Sequence, residues 1–199
     1  MIQKTVEENK ELINKYPWLL PRNLWTDNVI DFYDYSWTEL DALEDGWRIA
    51  FGDLICEDIQ AELEKFDFVD KYRILQIKEK YGGLRWYDNG IPTGCKVHDI
   101  IDNYSHISEY ICIYCGELDV PSTNGWITPV CKKCINKINI KNPEDYWNAI
   151  SKDQYPHTLP LERRYRIWNK DKDDAEEVIV DMSDTVKKIR AKYAERKKL

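Results

Sequence analysis

Four of the six cysteines in this 199-residue chain stand as Cys112-x2-Cys115-x15-Cys131-x2-Cys134. Two sulfurs separated by two residues can turn toward one point, and a second such pair completes a tetrahedron of thiolates around a single ion. The flanking residues suit that chemistry. Gly116 follows the second cysteine, where a knuckle turns through positive φ, and Lys132 and Lys133 bring cations to a site with excess negative charge. Four protein ligands close the coordination shell, so the spacing predicts one structural Zn2+ per chain with no reacting role. The other readings of these cysteines are two disulfides or four separate buried thiols. Disulfides need an oxidising compartment. The first ten residues hold no apolar run of the kind an export signal carries, so a cytoplasmic protein is expected. Cys56 and Cys95 read as a core thiol and a loop thiol.

A second group is Lys78, Lys80, Tyr81, Arg85, Trp86 and Tyr87, which interleaves cations with aromatics around Tyr81-Gly82-Gly83. On strands, residues two apart share a face, which puts Arg85 with Tyr87 and Trp86 opposite. An exposed ring there can stack a base while Lys or Arg meets phosphate, making a small nucleotide a candidate ligand. The same pattern also describes a sheet packed on a helix with its long polar side chains outward. Asp53, Glu57 and Asp58 lie along one side of a helix. Acids converging on Mg2+ would support hydrolysis, but the spacing is that of a solvated face. His98 and His106 are eight residues apart, about 12 Å along a helix, and His157 is distant in sequence. No H-E-x-x-H, G-x-S-x-G, phosphate-loop or dinucleotide fingerprint occurs.

The elements that must position these groups follow from apolar periodicity. Trp47, Ala50, Phe51, Leu54, Ile55, Ile59 and Leu63 recur at helical spacing over 46–66. A hairpin is expected over 72–88, and a helix over 96–110 that runs into the first cysteine pair. A weaker helix is expected over 3–15. The aromatic stretch 22–37 reads as a loop packed onto the domain, and Gly125–Val130 as a short strand between the cysteine pairs. Further on, Asn142-Pro143 reads as a helix start, 176–180 as a strand, and Ser183 as the cap of a last helix. The fold class is α+β: helices packed on a small antiparallel sheet, with a four-cysteine zinc-ribbon-like module and a C-terminal helical extension. The corresponding ranges are 1–110 for the body, 111–136 for the module and 137–199 for the extension.

A net charge of −7 opposes general affinity for duplex DNA. No run of apolar residues is long enough for a membrane span. The basic end, with seven Lys/Arg against two Asp/Glu over 184–199, runs against that overall balance.

The segments Tyr72–Tyr87, with its Lys80-Tyr81-Gly82-Gly83-Leu84-Arg85-Trp86-Tyr87 run, Cys112–Gly116, Gly125–Cys131 and Tyr35–Asp41 resemble a group of small uncharacterised proteins of bacteria and their phages, over about residues 10–134. The resemblance implies a cytoplasmic protein of a mobile element with a structural metal. The function expected on these grounds is that of a non-enzymatic, zinc-stabilised binding protein, phage-encoded, which inhibits a host defence factor. It would cover a basic protein surface or sequester a nucleotide. The alternatives are a metal-dependent nuclease or nucleotide hydrolase, and a zinc-ribbon transcription regulator.

Overall fold

The computed structural model describes residues 4–23, 25–138, 145–151 and 157–198. The strongest apolar stripe of the sequence becomes the central helix α2, Asp45–Glu64, after α1, Val6–Lys15. Trp47, Phe51, Ile55, Ile59 and Leu63 of α2 are fully buried. Thr5 and Glu8 form a reciprocal capping box at the start of α1, which buries Leu12 and Ile13.

The hairpin β1, Ile74–Lys80, and β2, Gly83–Asp88, pairs Ile77 with Trp86, Lys78 with Arg85 and Lys80 with Gly83. The turn is Tyr81-Gly82, with φ of +55° and +77°. Positive φ at both positions matches the right-handed twist of the strands, so two residues suffice. Helix α3, Val97–Ser108, lies against β2 and α2. Two serines of α3 bind β2: Leu84 N donates to Ser108 Oγ at 2.8 Å, and Ser105 Oγ donates to Leu84 O. The buried Glu62 carboxylate of α2 accepts the Lys96 amide at 2.9 Å, supplying an acceptor at the start of α3.

The fold is therefore α+β, with a helix layer on a small antiparallel sheet. The extension holds more than helix. After a short α4, Tyr146–Ala149, a second hairpin forms from β3, Glu162–Asn169, and β4, Asp174–Asp181. The sequence reading had only part of β4. The last helix, α5, Ser183–Arg196, starts where expected, but the Asp181 carboxylate accepts the Ser183 amide at 2.8 Å, so Ser183 is not the cap. Asn142-Pro143 lies outside the described residues.

Two other expectations change. The loop 22–37 is only partly packed: Tyr33 and Tyr35 stack at 4.9 Å, while Trp25 is 94% exposed and Phe32 fully so. Gly125–Val130 is not a strand. Ser122 pairs with Pro129, and Thr123 N donates to Thr128 O at 3.0 Å, which leaves Gly125, Trp126 and Ile127 as the tip of a tight loop.

Candidate metal centre and exposed surfaces

The four expected cysteines converge. Their sulfurs all lie within 4.8 Å of one another, and Cys115 Sγ is 3.6 Å from Cys131 Sγ. A tetrahedral ion with metal–sulfur bonds of about 2.3 Å sets sulfurs about 3.8 Å apart. A disulfide would need about 2.0 Å. Thus the donor set fits one metal ion, and none of the six cysteines is in a disulfide. Cys56 is fully buried, and burial pushes its thiol above the usual range, as for an inert core sulfur. Hydrogen bonds from Cys112 and Cys131 hold Cys115 low, while Cys112 is pushed up by its bonds to Cys115 and Cys131.

Backbone bonds shape the knuckles. Gly116 N donates to Cys112 O at 2.9 Å with Gly116 at φ +68°, and Cys134 N donates to Cys131 O at 2.9 Å. Ile113 N reaches Pro129 O at 3.0 Å and joins the two pairs.

The body grips this centre closely. Gly46, in the first turn of α2, donates its amide to Ile113 O at 2.8 Å. A Cβ at Gly46 would lie 1.9 Å from Cys112 O, so only glycine fits. The start of α2 is thereby held against the backbone of the first knuckle. Trp47 Nε1 donates to Ser108 O and Ile111 O at 3.1 and 3.2 Å, fixing the junction where α3 passes into the first knuckle.

Helix α5 clamps the other side. Arg190 makes a bidentate bridge to Asp119, both bonds 2.9 Å, and Arg196 donates to Gly116 O at 3.0 Å. Tyr193 and Lys197 both bond Glu117. Burial would raise the Glu117 carboxyl, but those two donors outweigh it and hold it low. With Lys188 and Lys192 also paired to acids of α2, five of the seven basic side chains over 184–199 bond the body.

The acids of α2 are engaged likewise. Asp53 pairs with Lys192 at 3.1 Å, Glu57 with Lys15 at 3.4 Å, and Asp58 with Lys188 at 2.5 Å. Tyr104 also donates to Asp58 at 2.7 Å. Among the described residues, the cysteines are the one metal-capable cluster of three or more His, Cys, Asp or Glu side chains. His98 sits on Asp88 at 3.1 Å, and His106 packs on the Tyr110 ring.

The six hairpin candidates do not form one surface. Trp86 is 7% exposed, packs against Trp18 and donates to the Tyr72 hydroxyl at 3.0 Å. It is a core residue and offers no face for stacking. Arg85 is tied to Leu84 O at 2.8 Å and Ser105 Oγ at 3.2 Å. Lys78 lies over the Tyr87 ring at 5.0 Å. Lys80 and Tyr81 stand apart at the tip, where Tyr81 is 69% exposed.

That tip meets the knuckle loop. A Cβ at Gly82 would lie 2.7 Å from Ile127 Cγ2, so turn and loop are in close contact. Between them lies a cleft of about 380 Å³ lined by Lys80, Tyr81, Trp126 and Ile127. Trp126 is 84% exposed and was not among the sequence candidates. Its one local signal was the turn-forming Asn124-Gly125 beside it.

Seven non-glycine residues among those described have positive φ, and four are aspartates, an ordinary choice there. The other three are aromatic: Phe32, Tyr35 and Tyr81. Bulky residues in this region carry strain, which proteins keep where display of a side chain is useful. No protein-family model, curated protein or solved structure matches the chain.

Proposed function

We propose that this chain is a non-enzymatic binding protein. One Zn2+ braces the fold, and the aromatic loop 25–37 covers a basic surface on a partner protein. Zinc is the ion that four thiolates at these separations suit, and they leave no coordination position for water or substrate. The reading rests on one observation. Trp25 and Phe32 stand in solvent on a stretch, residues 23–47, that holds seven Asp/Glu and no Lys or Arg. Aromatic anchors carry most of the energy of protein interfaces, and a uniformly negative rim speeds encounter with a cationic face. The positive φ of Phe32 supports the same reading. In the mobile-element setting that the resemblance implies, the partner is a host defence factor whose basic face is occupied. The hydrolase and regulator readings have less support, because Asp53 and Asp58 of α2 are bound to Lys192 and Lys188, and Arg190 is bound to Asp119.

Capture from a bacterial lysate tests this. A basic protein should be held by the wild type and by a Trp168→Ala control, an exposed ring on β3 outside the loop, be released by salt, and be lost with Trp25→Ala/Phe32→Ala. Identical capture by the loop variant overturns the proposal. So does nucleotide turnover that disappears in Asp53→Asn.

A further inference from the structure

A second surface lies away from the acidic loop. Asp27 of that loop binds Arg73 at 3.1 Å, at the open end of the first hairpin, whereas Tyr81 is at its tip. Eight residues of extended chain separate the two, on the order of 25 Å. The segment that faces the tip differs in charge: residues 120–138 include three lysines and no Asp or Glu, while Glu79 and Glu109 border the hairpin turn itself.

Trp126 divides this surface. On one side is the cleft of about 380 Å³ with Lys80 and Tyr81. On the other is a cleft of about 430 Å³ with Thr128, Lys137 and Ile138. Trp126 thus lines both cavities, and each has one lysine in its wall: Lys80, whose Nζ lies 5.2 Å over the Tyr81 ring, and Lys137, whose Nζ lies 5.3 Å over the Tyr114 ring. Both cavities are within the size range of small-ligand pockets, about 300–1,000 Å³. The one acid on the rim, Glu79, has a carboxylate oxygen bound to the Gly82 amide at 2.6 Å. The walls are built: Gly82 is locked against Ile127 and Pro129, and Thr123 Oγ1 accepts the Thr128 amide at 3.0 Å. Tyr81 holds its ring outward at φ +55°, where glycine or asparagine would cost less.

We infer that this surface binds single-stranded nucleic acid, with bases stacked on Tyr81 and Trp126 and phosphates met by Lys80 and Lys137. Base stacking is indifferent to sequence, and lysines satisfy backbone phosphates. Two clefts about one indole suit successive nucleotides of a strand better than a lone nucleotide. A rigid duplex cannot offer unstacked bases to either cleft. The site is separate from the protein-binding loop and stands or falls independently of it.

The test is fluorescence anisotropy with fluorescein-labelled oligothymidylate and oligouridylate, titrated with the metal-loaded protein. Binding should weaken as salt rises. Lys80→Ala and Lys137→Ala should each make the log–log salt slope shallower by about 0.7. Trp126→Ala should weaken binding roughly 5- to 100-fold. Tyr81→Gly keeps a residue suited to the turn, so it should melt no lower than the wild type while binding more weakly. Trp25→Ala/Phe32→Ala should bind as the wild type does, so failure here is separable from failure of the protein-binding reading. The inference is overturned if neither oligonucleotide binds, or if Trp126→Ala binds unchanged. Equal competition by duplex or by a mononucleotide also overturns it. Displacement by polyglutamate that depends on Trp126, without oligonucleotide binding, would assign the surface to an acidic peptide instead.

Discussion

Gly46→Ala is the smallest change that should separate the body from the metal centre. The added methyl would sit 1.9 Å from Cys112 O, 2.7 Å from Ile113 C and 2.8 Å from Gly116 N, all backbone atoms. Carbon and oxygen rest near 3.5 Å, so helix and knuckle must part by about 1.5 Å. That movement stretches the Gly46 N to Ile113 O bond, now 2.8 Å, worth about 1 kcal/mol. Overpacking costs about 1–3 kcal/mol, at the upper end here because no rotamer can yield. Alanine recovers about 1 kcal/mol of helix propensity. The net loss is about 3 kcal/mol, or roughly 6–12 °C in melting temperature for a chain of this size. If the knuckle moves, metal affinity falls as well, by up to about 100-fold if the whole strain is charged to it. Thermal melting with and without chelator, and competition with a chromophoric chelator, read both effects. Gly90→Ala is the control: Gly90 has φ +94° but a Cβ there meets nothing within 4 Å, so it carries backbone strain alone. A Gly46→Ala protein that melts and binds metal like the wild type would refute this account of the interface. A deficit that persists undiminished in the metal-free protein would place the clash elsewhere.

Metal analysis should return about one zinc per chain, and Cys131→Ser should lower both that content and the melting temperature. Metal-free protein that melts with the loaded form would show that the ion braces nothing. Glu39 supplies a pH signature. Burial raises its carboxyl from 4.5 to about 6. The fold therefore favours the protonated acid. Its contribution is full below about pH 4.5 and is lost as pH rises through about 6. Partial exposure screens the effect to about 1 kcal/mol or less. Glu39→Gln should thus raise the melting temperature by up to about 2–4 °C at neutral pH and change little below the window. The same gain at both ends of the window would show that ionisation is not its source.

The parts legible in the sequence were those set by local geometry. Two residues between paired cysteines fix where sulfurs can point, and a 3.6-residue stripe fixes which face of α2 is buried. The hairpin read correctly because glycine beside Tyr81 marks a turn. What failed depended on distant neighbours. Trp86 resembles a stacking ring until Trp18 is known to cover it. Trp25 and Phe32 are chemically core residues, and nothing local says that no wall will reach them. Strand β3 was hidden by its arginines, although Arg163, Tyr165 and Ile167 alternate with Arg164, Arg166 and Trp168 at the strand period.

The ion pairs of α5 link these levels. Lys188 and Lys192 neutralise the acidic face of α2, while Arg190 and Lys197 hold Asp119 and Glu117 beside the first knuckle. Each pair is partly exposed and worth little alone. They act together because α5 and the residue that follows it carry all four cations, so the backbone ordering cost is met once and not four times. The consequence is electrostatic as much as mechanical. With most of its basic end paired, the molecule shows two unlike faces, an acidic aromatic loop at the open end of the hairpin and an indole with lysines nearby close to its tip. On the two proposals, the cationic partner and the anionic strand would therefore meet separate faces of a protein of net charge −7, without either face cancelling the other.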